Sequence, residues 1–318
     1  MAERAAVALR PGSVRIAVAA SGVNFADVMA RIGVYPDAPR PPCVLGYEVA
    51  GTVTECAEGV ERLSVGQRVM AATQFGGYAS EVVVAADDAL ALPERLSFEQ
   101  GAAVPINYAT AWAALIGYGA LRTGDRVLVH AAAGGVGIAA TALAKRHGAE
   151  VYGTASPGKH ERLRALGADH AIDYTRSGWE TGLPKFDLIL DSRGGASFRR
   201  SYGQLRPGGR LIAFGTSAFV TGERRNFPKE LGTVLRMPRI SVLGALAESK
   251  TVTGLNLLLL WRDRGTLAPW LDPLRQFLDD GTIEPELAGR FGFEQAAQAH
   301  RMLSERRNVG KVVLVPAR

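Results

Sequence analysis

Apolar and polar residues follow two different periods along this chain. Between residues 13 and 93, short alternating segments are broken by glycines and turn residues, a pattern typical of β-strands. The segments predicted to form strands are 14–19, 49–56, 68–71 and 81–84. This part of the chain is therefore predicted to be an all-β, barrel-like module.

From about residue 123, apolar segments alternate with helical ones. Strands are predicted at 126–130, 150–154, 188–190 and 210–214, and helices at 138–147 and 160–166. Gly148 and Gly167 follow the two helices, where a left-handed glycine usually ends a helix. Alternation of this kind predicts a parallel sheet covered on both faces by helices.

After residue 249 the pattern changes to a leucine-rich helix, a proline-rich link, a helix at 293–305 and a strand at 311–315. We expect this last part to rejoin the first module, which makes the domain with alternating strands and helices an insertion. The predicted α/β chain thus has a β-domain at 1–106 and 249–318 around a doubly wound domain at 107–248. A length of 318 residues suits two domains, with a site expected in the cleft between them.

Composition excludes several classes of protein. Hydrophobic residues make up 47% and charged residues 21% of the chain, as in ordinary globular proteins. The apolar segment 255–261 is too short to cross a bilayer and is predicted to be a buried helix. The two cysteines and the absence of a signal-like start predict a cytoplasmic protein. The net charge of +6 comes from scattered Lys and Arg residues, so nucleic-acid binding is not predicted.

A glycine-rich turn carries the strongest local chemistry. The predicted strand 126–130 leads into Ala131-Ala-Ala-Gly-Gly-Val-Gly137 and then an alanine-rich helix. In that order the helix N-terminus offers free N–H groups and a positive dipole end to a pyrophosphate. Ala132 stands where the dinucleotide fingerprint has its first glycine. The alternative is a turn that only packs helix on sheet, but its place at the first strand of the series favours a dinucleotide.

The end of the next strand indicates which dinucleotide is bound. NAD enzymes usually place an acid there on the ribose hydroxyls, whereas the segment 152–160 contains none and Glu150 begins the strand. The hydroxyl of Ser156 and the ammonium of Lys159 favour a 2′-phosphate, which predicts NADPH. The alternative for Lys159 is a solvated residue in the first turn of a helix.

Several motifs resemble a known family in order and spacing. The segments 22–27, 31–36, 46–51, 66–69 and 131–137 are similar to the zinc-free quinone oxidoreductases, such as zeta-crystallin, of the medium-chain dehydrogenase/reductase superfamily. Segments 153–161, 172–174 and 308–316 look most like vesicle amine transport protein homologues, and 22–36 and 154–159 also resemble polyketide-synthase enoyl reductase domains. The family has one more β-strand before the segment matching 13–19, so the rim of the substrate pocket is expected to differ here.

The resemblance implies a GroES-like catalytic domain around an inserted Rossmann domain, with NADPH in the cleft and a homodimer as the assembly. It also implies roles for particular residues. Lys159 and Tyr174 would flank the 2′-phosphate, although Tyr174 could instead cap a sheet edge. Thr110 would meet the carboxamide or, alternatively, make an interdomain helix contact. The residues implied at the pyrophosphate are Gly134, Gly135 and Val136, together with Ala133 and Gly137; those implied near the nicotinamide are Asn24, Tyr35, Thr110, Gly215 and Asn308.

The positions that hold zinc in related alcohol dehydrogenases carry other residues. Zinc sites use cysteine and histidine, but Asn24 and Tyr47 stand in their places, and Glu48 is expected to be a buried hydrogen-bonding residue. The lobe of four cysteines is missing. The five histidines show no ligand spacing, and most are expected at the surface or at helix ends. No metal is therefore predicted.

Without a Lewis acid, a conjugated acceptor is easier to reduce than an alcohol is to oxidise, because the resulting enolate or phenolate delocalises its charge. The sequence predicts NADPH-dependent hydride transfer to a small quinone or α,β-unsaturated carbonyl compound. An enoyl-thioester reductase and a non-catalytic NADPH-binding regulatory protein are the alternatives. Tyr35 is the predicted donor to the carbonyl or source of the proton. The alternative is that Tyr35 only lines the pocket, Asn24 makes the polar contact and water supplies the proton.

Overall fold

The computed structural model describes residues 7–220, 222 and 225–316 and divides into two compact units. The first unit combines the described parts of Met1–Ala109 and Leu258–Arg318, and the second is Thr110–Leu257. One unit is thus inserted into the sequence of the other.

Thirteen β-strands form in the described residues. They are β1 Ser13–Val23, β2 Glu48–Cys56, β3 Arg68–Ala72, β4 Glu81–Ala85, β5 Ala89–Ala91, β6 Arg126–Val129, β7 Glu150–Ala155, β8 His170–Asp173, β9 Phe186–Asp191, β10 Leu205–Ala213, β11 Thr251–Gly254, β12 Leu287–Gly292 and β13 Lys311–Val315.

The helices of the described residues are mostly short. They are α1 Phe25–Arg31, α2 Phe98–Gly101, α3 Pro105–Trp112, α4 Gly135–Arg146, α5 His160–Ala165, α6 Ala196–Gln204, α7 Phe227–Leu235, α8 Val242–Glu248, α9 Leu257–Arg264, α10 Ala268–Leu271, α11 Arg275–Asp279 and α12 Ala296–Ser304. A π-turn at Ala113–Gly117 continues α3.

The sheet of the first unit is built around β1, which pairs with β2, β4 and β13. Its strand order is β12-β13-β1-β2-β3-β5, and every pair except β12–β13 is antiparallel. Val14, Ile16 and Val18 alternate into the core, as expected for a strand with one buried face. The pairing of Val23 with Val312 places the start of β13 beside the end of β1. Residues far apart in the sequence therefore meet at this point.

The sheet of the second unit has six parallel strands in the order β11-β10-β9-β6-β7-β8. The first strand, β6, is central, and the chain winds outward from it in both directions. This is the doubly wound Rossmann topology, in which ligands bind outside the carboxyl ends of the strands where the order reverses. In this sheet, the reversal lies between β6 and β9, and the predicted parallel sheet is confirmed.

Several predicted boundaries need correction. The strand predicted at 210–214 begins at Leu205, which pairs with Phe186 before a shift in register within β10. The helix predicted at 293–305 begins as a 3₁₀ turn and becomes α-helical at Ala296. Gly148 and Gly167 have φ of +76° and +102°, which confirms both left-handed stops.

The segment 255–261 is only partly the buried helix that its apolar residues predict. In α9, Leu258 and Trp261 are buried, but Leu259 is 50% exposed, because one face of the helix alone meets the core. No helix within the described ranges is long and apolar enough to span a membrane.

The side chain of Asp88 connects residues 261–267 to the first part of the same unit. Its buried carboxylate accepts hydrogen bonds from Trp261 Nε1 at 3.1 Å, Thr266 Oγ1 at 3.0 Å and Leu267 N at 2.6 Å. Burial raises the pKa of Asp88, while these donors act in the opposite direction. The carboxylate thus joins segments almost two hundred residues apart through its hydrogen bonds.

We expect Asp88→Ala to lower the free energy of unfolding by roughly 3 kcal/mol, because two buried donors lose their acceptor. Urea unfolding measures the loss. The neighbouring substitution Asp87→Ala is the control: that carboxylate is 67% exposed beside Arg62, so the expected loss is under about 1 kcal/mol. Equal losses in the two variants would contradict the role given to Asp88.

Candidate functional site

The glycine turn joins β6 to α4 at the carboxyl edge of the parallel sheet. Gly134 is the N-cap residue with φ of −84°, and no side chain caps the first turn of the twelve-residue helix. The first N–H groups of a helix have no helical acceptor, and the helix dipole places partial positive charge there. Gly134, Gly135 and Val136 are partly exposed, whereas Ala133 and Gly137 are buried. The turn is therefore a backbone site suited to an anion.

Ala132 departs from the dinucleotide fingerprint, and the neighbouring strand accommodates it. A Cβ atom on Gly153 of β7 would lie 2.8 Å from the Cβ of Ala132, so glycine at 153 makes room for the methyl group. Gly137 cannot be replaced easily either, because its Cβ would lie 2.5 Å from the carbonyl oxygen of Ala131. The close helix-to-strand packing of the fingerprint is kept with a different distribution of small residues.

The loop after β7 has the polar character that the sequence predicts. Ser156 precedes the 3₁₀ turn Pro157–Lys159, and both Ser156 and Lys159 are partly exposed. Glu150 lies at the other end of the strand, where Arg126 and His170 hydrogen-bond to it. The carboxylate that would meet a ribose in an NAD enzyme is not found in this described loop.

Tyr174 follows β8 and lies against an arginine that sequence reasoning missed. The guanidinium carbon of Arg193 lies 4.6 Å from the centre of the Tyr174 ring, a cation–π distance. The backbone N–H of Arg193 donates to Asp191 Oδ1 at 2.8 Å. Asp173, the acid beside Tyr174, is paired with Arg176 at 3.2 Å and accepts from Thr175. One arginine therefore stacks on the tyrosine ring at this edge.

A buried polar network supports the turn from below. His130 Nε2 lies 3.0 Å from Ser201 Oγ, which donates to Asp191 Oδ2 at 2.7 Å. His130 Nδ1 lies 3.3 Å from Thr154 Oγ1, and burial lowers the pKa of the ring. Because the serine hydroxyl donates to the aspartate, the three residues do not form an activated nucleophile. They join the ends of β6, β7 and β9 to α6.

Three of the five histidines lie at the surface or at helix ends, as expected for most of them, and the other two are buried. His130 and His300 are buried with 1% and 2% exposure, and each ring has a hydroxyl partner, Ser201 for His130 and Tyr78 for His300. His147 and His160 lie at helix ends, and His170 is exposed, as expected.

Two more of the predicted residues belong to the second unit. Thr110 is buried on α3 with 8% exposure. Gly215 follows β10, and a Cβ there would lie 3.0 Å from the carbonyl oxygen of Ser192. Glycine therefore permits the loops after β9 and β10 to approach each other.

The first unit gathers a buried charged cluster where β1 ends. Asn24 is the N-cap residue of α1; its Nδ2 donates to Glu48 Oε1 at 2.8 Å, and its Oδ1 accepts from Lys311 Nζ at 2.7 Å. The ammonium of Lys311 also donates to Glu48 Oε1, and the backbone N–H of Ile106 donates to Glu48 Oε2 at 2.8 Å. Glu48 has no exposed surface, which confirms it as a buried hydrogen-bonding residue. Sequence reasoning missed Lys311, although a lysine opening an otherwise apolar strand was a usable signal.

Asp27 extends this cluster. Its carboxylate accepts from the backbone N–H groups of Asn24 at 2.8 Å and Gly46 at 2.9 Å, and burial raises its pKa to about 6. Tyr78 interacts with Asp27, and its hydroxyl lies 3.1 Å from His300 Nε2. Burial lowers the pKa of His300 to about 4. Asp27, Tyr78 and His300 thus form a polar line inside the first unit.

Two phenols lie together in the same unit. The rings of Tyr35 and Tyr47 meet edge to face with centroids 6.3 Å apart, and Tyr47 also packs on Phe75 at 4.6 Å. The Tyr47 hydroxyl is buried and has no hydrogen-bond partner among the described residues. Burial raises the pKa of both phenols, so both keep their protons at neutral pH.

Asn308, predicted for the same region, is buried just before β13 and donates to the carbonyl of Gly310 at 2.9 Å.

The chemistry of the donors around Asn24 does not suit zinc. An amide, a phenol and an ammonium ion are poor substitutes for the thiolate and imidazole ligands that zinc prefers. Over the described ranges, no three His, Cys, Asp or Glu side chains are grouped to hold a metal ion.

We expect His300 to destabilise the protein in mild acid. Its folded pKa of about 4 lies below the ordinary 6.5, so between these values the unfolded chain binds a proton that the folded chain does not. Stability is therefore lost as the pH falls through this window. Relative to His300→Gln, the parent protein should lose about 3 kcal/mol of unfolding free energy between pH 6.5 and 4. Urea unfolding at several pH values measures this difference.

Asp27→Asn provides the reciprocal comparison. The pKa of Asp27 is raised from 3.8 to about 6, so the folded state takes up this proton first as the pH falls. The parent should then gain stability relative to Asp27→Asn between pH 6 and 4. Parallel pH curves for the parent and either variant would contradict the assigned burial.

Two family models match the chain. The model described as alcohol dehydrogenase GroES-like domain matches residues 10–94, and the one described as zinc-binding dehydrogenase matches residues 166–314. The VAT-1 homolog of Rattus norvegicus, a synaptic vesicle membrane protein, is 36% identical over 96% of this chain and 77% of its own length. The polyketide synthase GfsB of Streptomyces halstedii is 38% identical over 96% of this chain, which spans 5% of that protein. The chain spans 65% of the VAT-1 homolog of Danio rerio.

Solved structures resemble the whole chain. Mycobacterial Rv1454c complexed with NADPH is 29% identical with a TM-score of 0.83, and CurK enoyl reductase is 26% identical with the same TM-score; each match covers 99% of this chain and 94% of the other. The quinone oxidoreductase from Coxiella burnetii is 27% identical with a TM-score of 0.81, covering 99% of this chain and 93% of its own. With its GroES-like domain and Rossmann-type parallel sheet, this chain belongs to the medium-chain dehydrogenase/reductase superfamily of oxidoreductases.

Proposed function

We propose that the protein is an NADPH-dependent reductase that transfers a hydride to a quinone or an α,β-unsaturated carbonyl compound without zinc. The observation that carries the proposal is the set of groups around Asn24. Where zinc dehydrogenases have thiolate and imidazole ligands, this chain has an amide hydrogen-bonded to Glu48 and Lys311, with the phenol of Tyr47 at the second position. The amide donates to Glu48, the phenol keeps its proton, and neither group is suited to hold a Lewis acid.

The second unit supports the cofactor assignment. Its glycine turn fits a pyrophosphate, because the first N–H groups of α4 lack helical acceptors and the backbone is partly exposed. Ser156 and Lys159 lie after β7, and that loop contains no acid. Arg193 stacks on Tyr174, which follows β8, the neighbour of β7 in the sheet. NADPH supplies the hydride when bound. The similarity to a structure complexed with NADPH is consistent with this choice.

The proposed chemistry requires the protein to orient the substrate and to donate hydrogen bonds to its oxygen, and little more. Hydride addition to the β-carbon of an enone moves the π electron pair onto the carbonyl oxygen as an enolate, and a proton then bonds to the α-carbon. With a quinone, hydride and proton together give the hydroquinone. In both cases the acceptor delocalises the negative charge, and a neutral phenol such as Tyr35 stabilises it by hydrogen bonding.

An enoyl-thioester reductase is the second candidate, because CurK enoyl reductase and the polyketide synthase GfsB are among the similar proteins. Oxidation of NADPH, followed by absorbance, should be measured against quinones, enones, enoyl thioesters and aldehydes. Turnover confined to thioesters would favour this candidate. NADPH binding without turnover of any substrate would indicate a cofactor-binding regulatory protein.

We also propose a cytoplasmic homodimer, as the family resemblance implies. Light scattering on the purified protein measures the mass, and fractionation of cells that produce it measures its location. A monomer, or recovery in the membrane fraction, would contradict these assignments.

We expect NADPH to bind at least about tenfold more tightly than NADH, which corresponds to about 1.4 kcal/mol. The physical reason is attraction of the 2′-phosphate to Lys159 and the lack of a carboxylate in that loop. Fluorescence titration with both cofactors measures the ratio. Lys159→Ala should weaken NADPH binding and leave NADH binding unchanged, whereas Lys185→Ala, on the β9 side of the same unit, is the control for loss of one positive charge. Equal affinities for the two cofactors in the parent would overturn the assignment.

We expect Tyr35→Phe to lower turnover of the best substrate by about a hundredfold or more, because the variant lacks the proposed proton donor. NADPH affinity should stay within about twofold of the parent. Tyr118→Phe is the control and should leave turnover unchanged, since it removes a phenol that is 40% exposed and lies in the other unit. If turnover of Tyr35→Phe stays within a few-fold of the parent, Tyr35 only lines the pocket and the proton comes from water.

A further inference from the structure

Lys311 is a buried lysine at the start of an apolar strand. It has 3% exposure, while Val312, Val313 and Leu314 behind it are fully buried. Pairing of β13 with β1 carries the ammonium to the end of β1, 287 residues away in the sequence from Asn24. There the ammonium donates to Asn24 Oδ1 at 2.7 Å and to Glu48 Oε1.

The two acceptors of this ammonium belong to the region where related dehydrogenases bind zinc. The second family model is described as zinc-binding dehydrogenase, so the fit of a metal to these residues can be tested directly. A zinc ion bound to Glu48 and residue 24 would lie next to the Lys311 ammonium, and like charges in a buried site repel strongly. The residues present therefore do not fit zinc.

We propose that Lys311 takes the place of the metal: its ammonium supplies the positive charge that balances buried Glu48 and, with Glu48, it fixes the orientation of the Asn24 amide. Lys311 is thus a positioning residue that acts through Asn24. The effect on turnover rests on the proposed function, but the claim about the metal does not.

The orientation of the amide follows from charge. Oδ1 faces the ammonium and Nδ2 faces the carboxylate. A flipped amide would put its N–H groups against the ammonium and its oxygen against the carboxylate, so both contacts would become repulsive. In the observed orientation, one N–H of Nδ2 and one lone pair of Oδ1 are not used by Glu48 and Lys311. Asn24 can therefore present a donor and an acceptor in fixed directions to a bound ligand.

The first experiment tests the exclusion of zinc. Asn24→Cys/Tyr47→His restores the ligand types of the zinc enzymes while keeping Lys311, and the triple variant adds Lys311→Met. After dialysis against zinc and then buffer, elemental analysis should find about one zinc per chain in the triple variant and under a tenth of that in the double variant. Equal zinc in the two variants would show that the ammonium does not exclude the metal. No zinc in a folded triple variant, as judged by thermal unfolding, would show that this is not a metal position.

The second experiment tests positioning. Lys311→Met/Glu48→Gln removes both charges of the ion pair together, so neither partner of that pair stays buried alone. We expect kcat to fall about tenfold or more with the Kd of NADPH unchanged, because the Asn24 amide loses its fixed orientation. In an Asn24→Ala background, the same two substitutions should cost less than about twofold, since their effect passes through Asn24. A full loss in both backgrounds, or no loss in either, would overturn the proposal.

A matched control separates a positioning effect from a general loss of structure. Lys250→Met removes another largely buried, ion-paired lysine, whose partner is Glu248 in the second unit, and should leave kcat unchanged. If the parent protein turns over no substrate, the proposed function fails, and the zinc measurements still decide whether the ammonium excludes the metal.

Discussion

A carboxylate enters a protein interior at acceptable cost only together with positive charge and hydrogen-bond donors. Glu48, at the start of β2, meets this requirement with the ammonium of Lys311, the amide of Asn24 and the backbone N–H of Ile106. These donors come from β13, the start of α1 and α3. The need to compensate the charge of Glu48 thus determines where β13, α1 and α3 meet. Loss of Glu48 or of Lys311 would leave the charge of the other residue buried without its partner. The positions of the predicted polar groups in the first unit depend on this arrangement.

In the second unit the polar groups of the site are hydrogen-bond donors that lack an acceptor within their helix. In the first unit the charge of Glu48 is matched by Lys311, whereas the start of α4 presents N–H groups that the helix itself cannot satisfy. Below the turn, His130, Ser201, Asp191 and Thr154 hydrogen-bond to one another and hold the strand ends in place. A rigid base under unsatisfied donors is a preorganised anion site, since little ordering remains to be done when a ligand binds.

Local periodicity explains why the sequence predicts much of the fold. The alternation in 14–19 and the strand-turn-helix order around Gly134 depend on neighbouring residues, and both are confirmed. Contacts between distant residues leave no such pattern. Nothing near Lys311 indicates that its partner is Asn24, and nothing near Arg193 indicates that it stacks on Tyr174. Burial of His300 is equally hidden, because it depends on Tyr78 from another segment.

The protonation of Tyr35 bears on the role proposed for its hydroxyl. Burial raises the pKa of Tyr35, so at neutral pH it is a hydrogen-bond donor and not a base. Oxidation of an alcohol requires a group that accepts the hydroxyl proton, which a protonated phenol cannot do. Reduction of a conjugated carbonyl requires a donor whose interaction strengthens as negative charge develops on oxygen, and a neutral phenol in a site of low polarity meets that need. A protonated Tyr35 that contacts the substrate as proposed would therefore act as a donor to the oxygen on which negative charge develops.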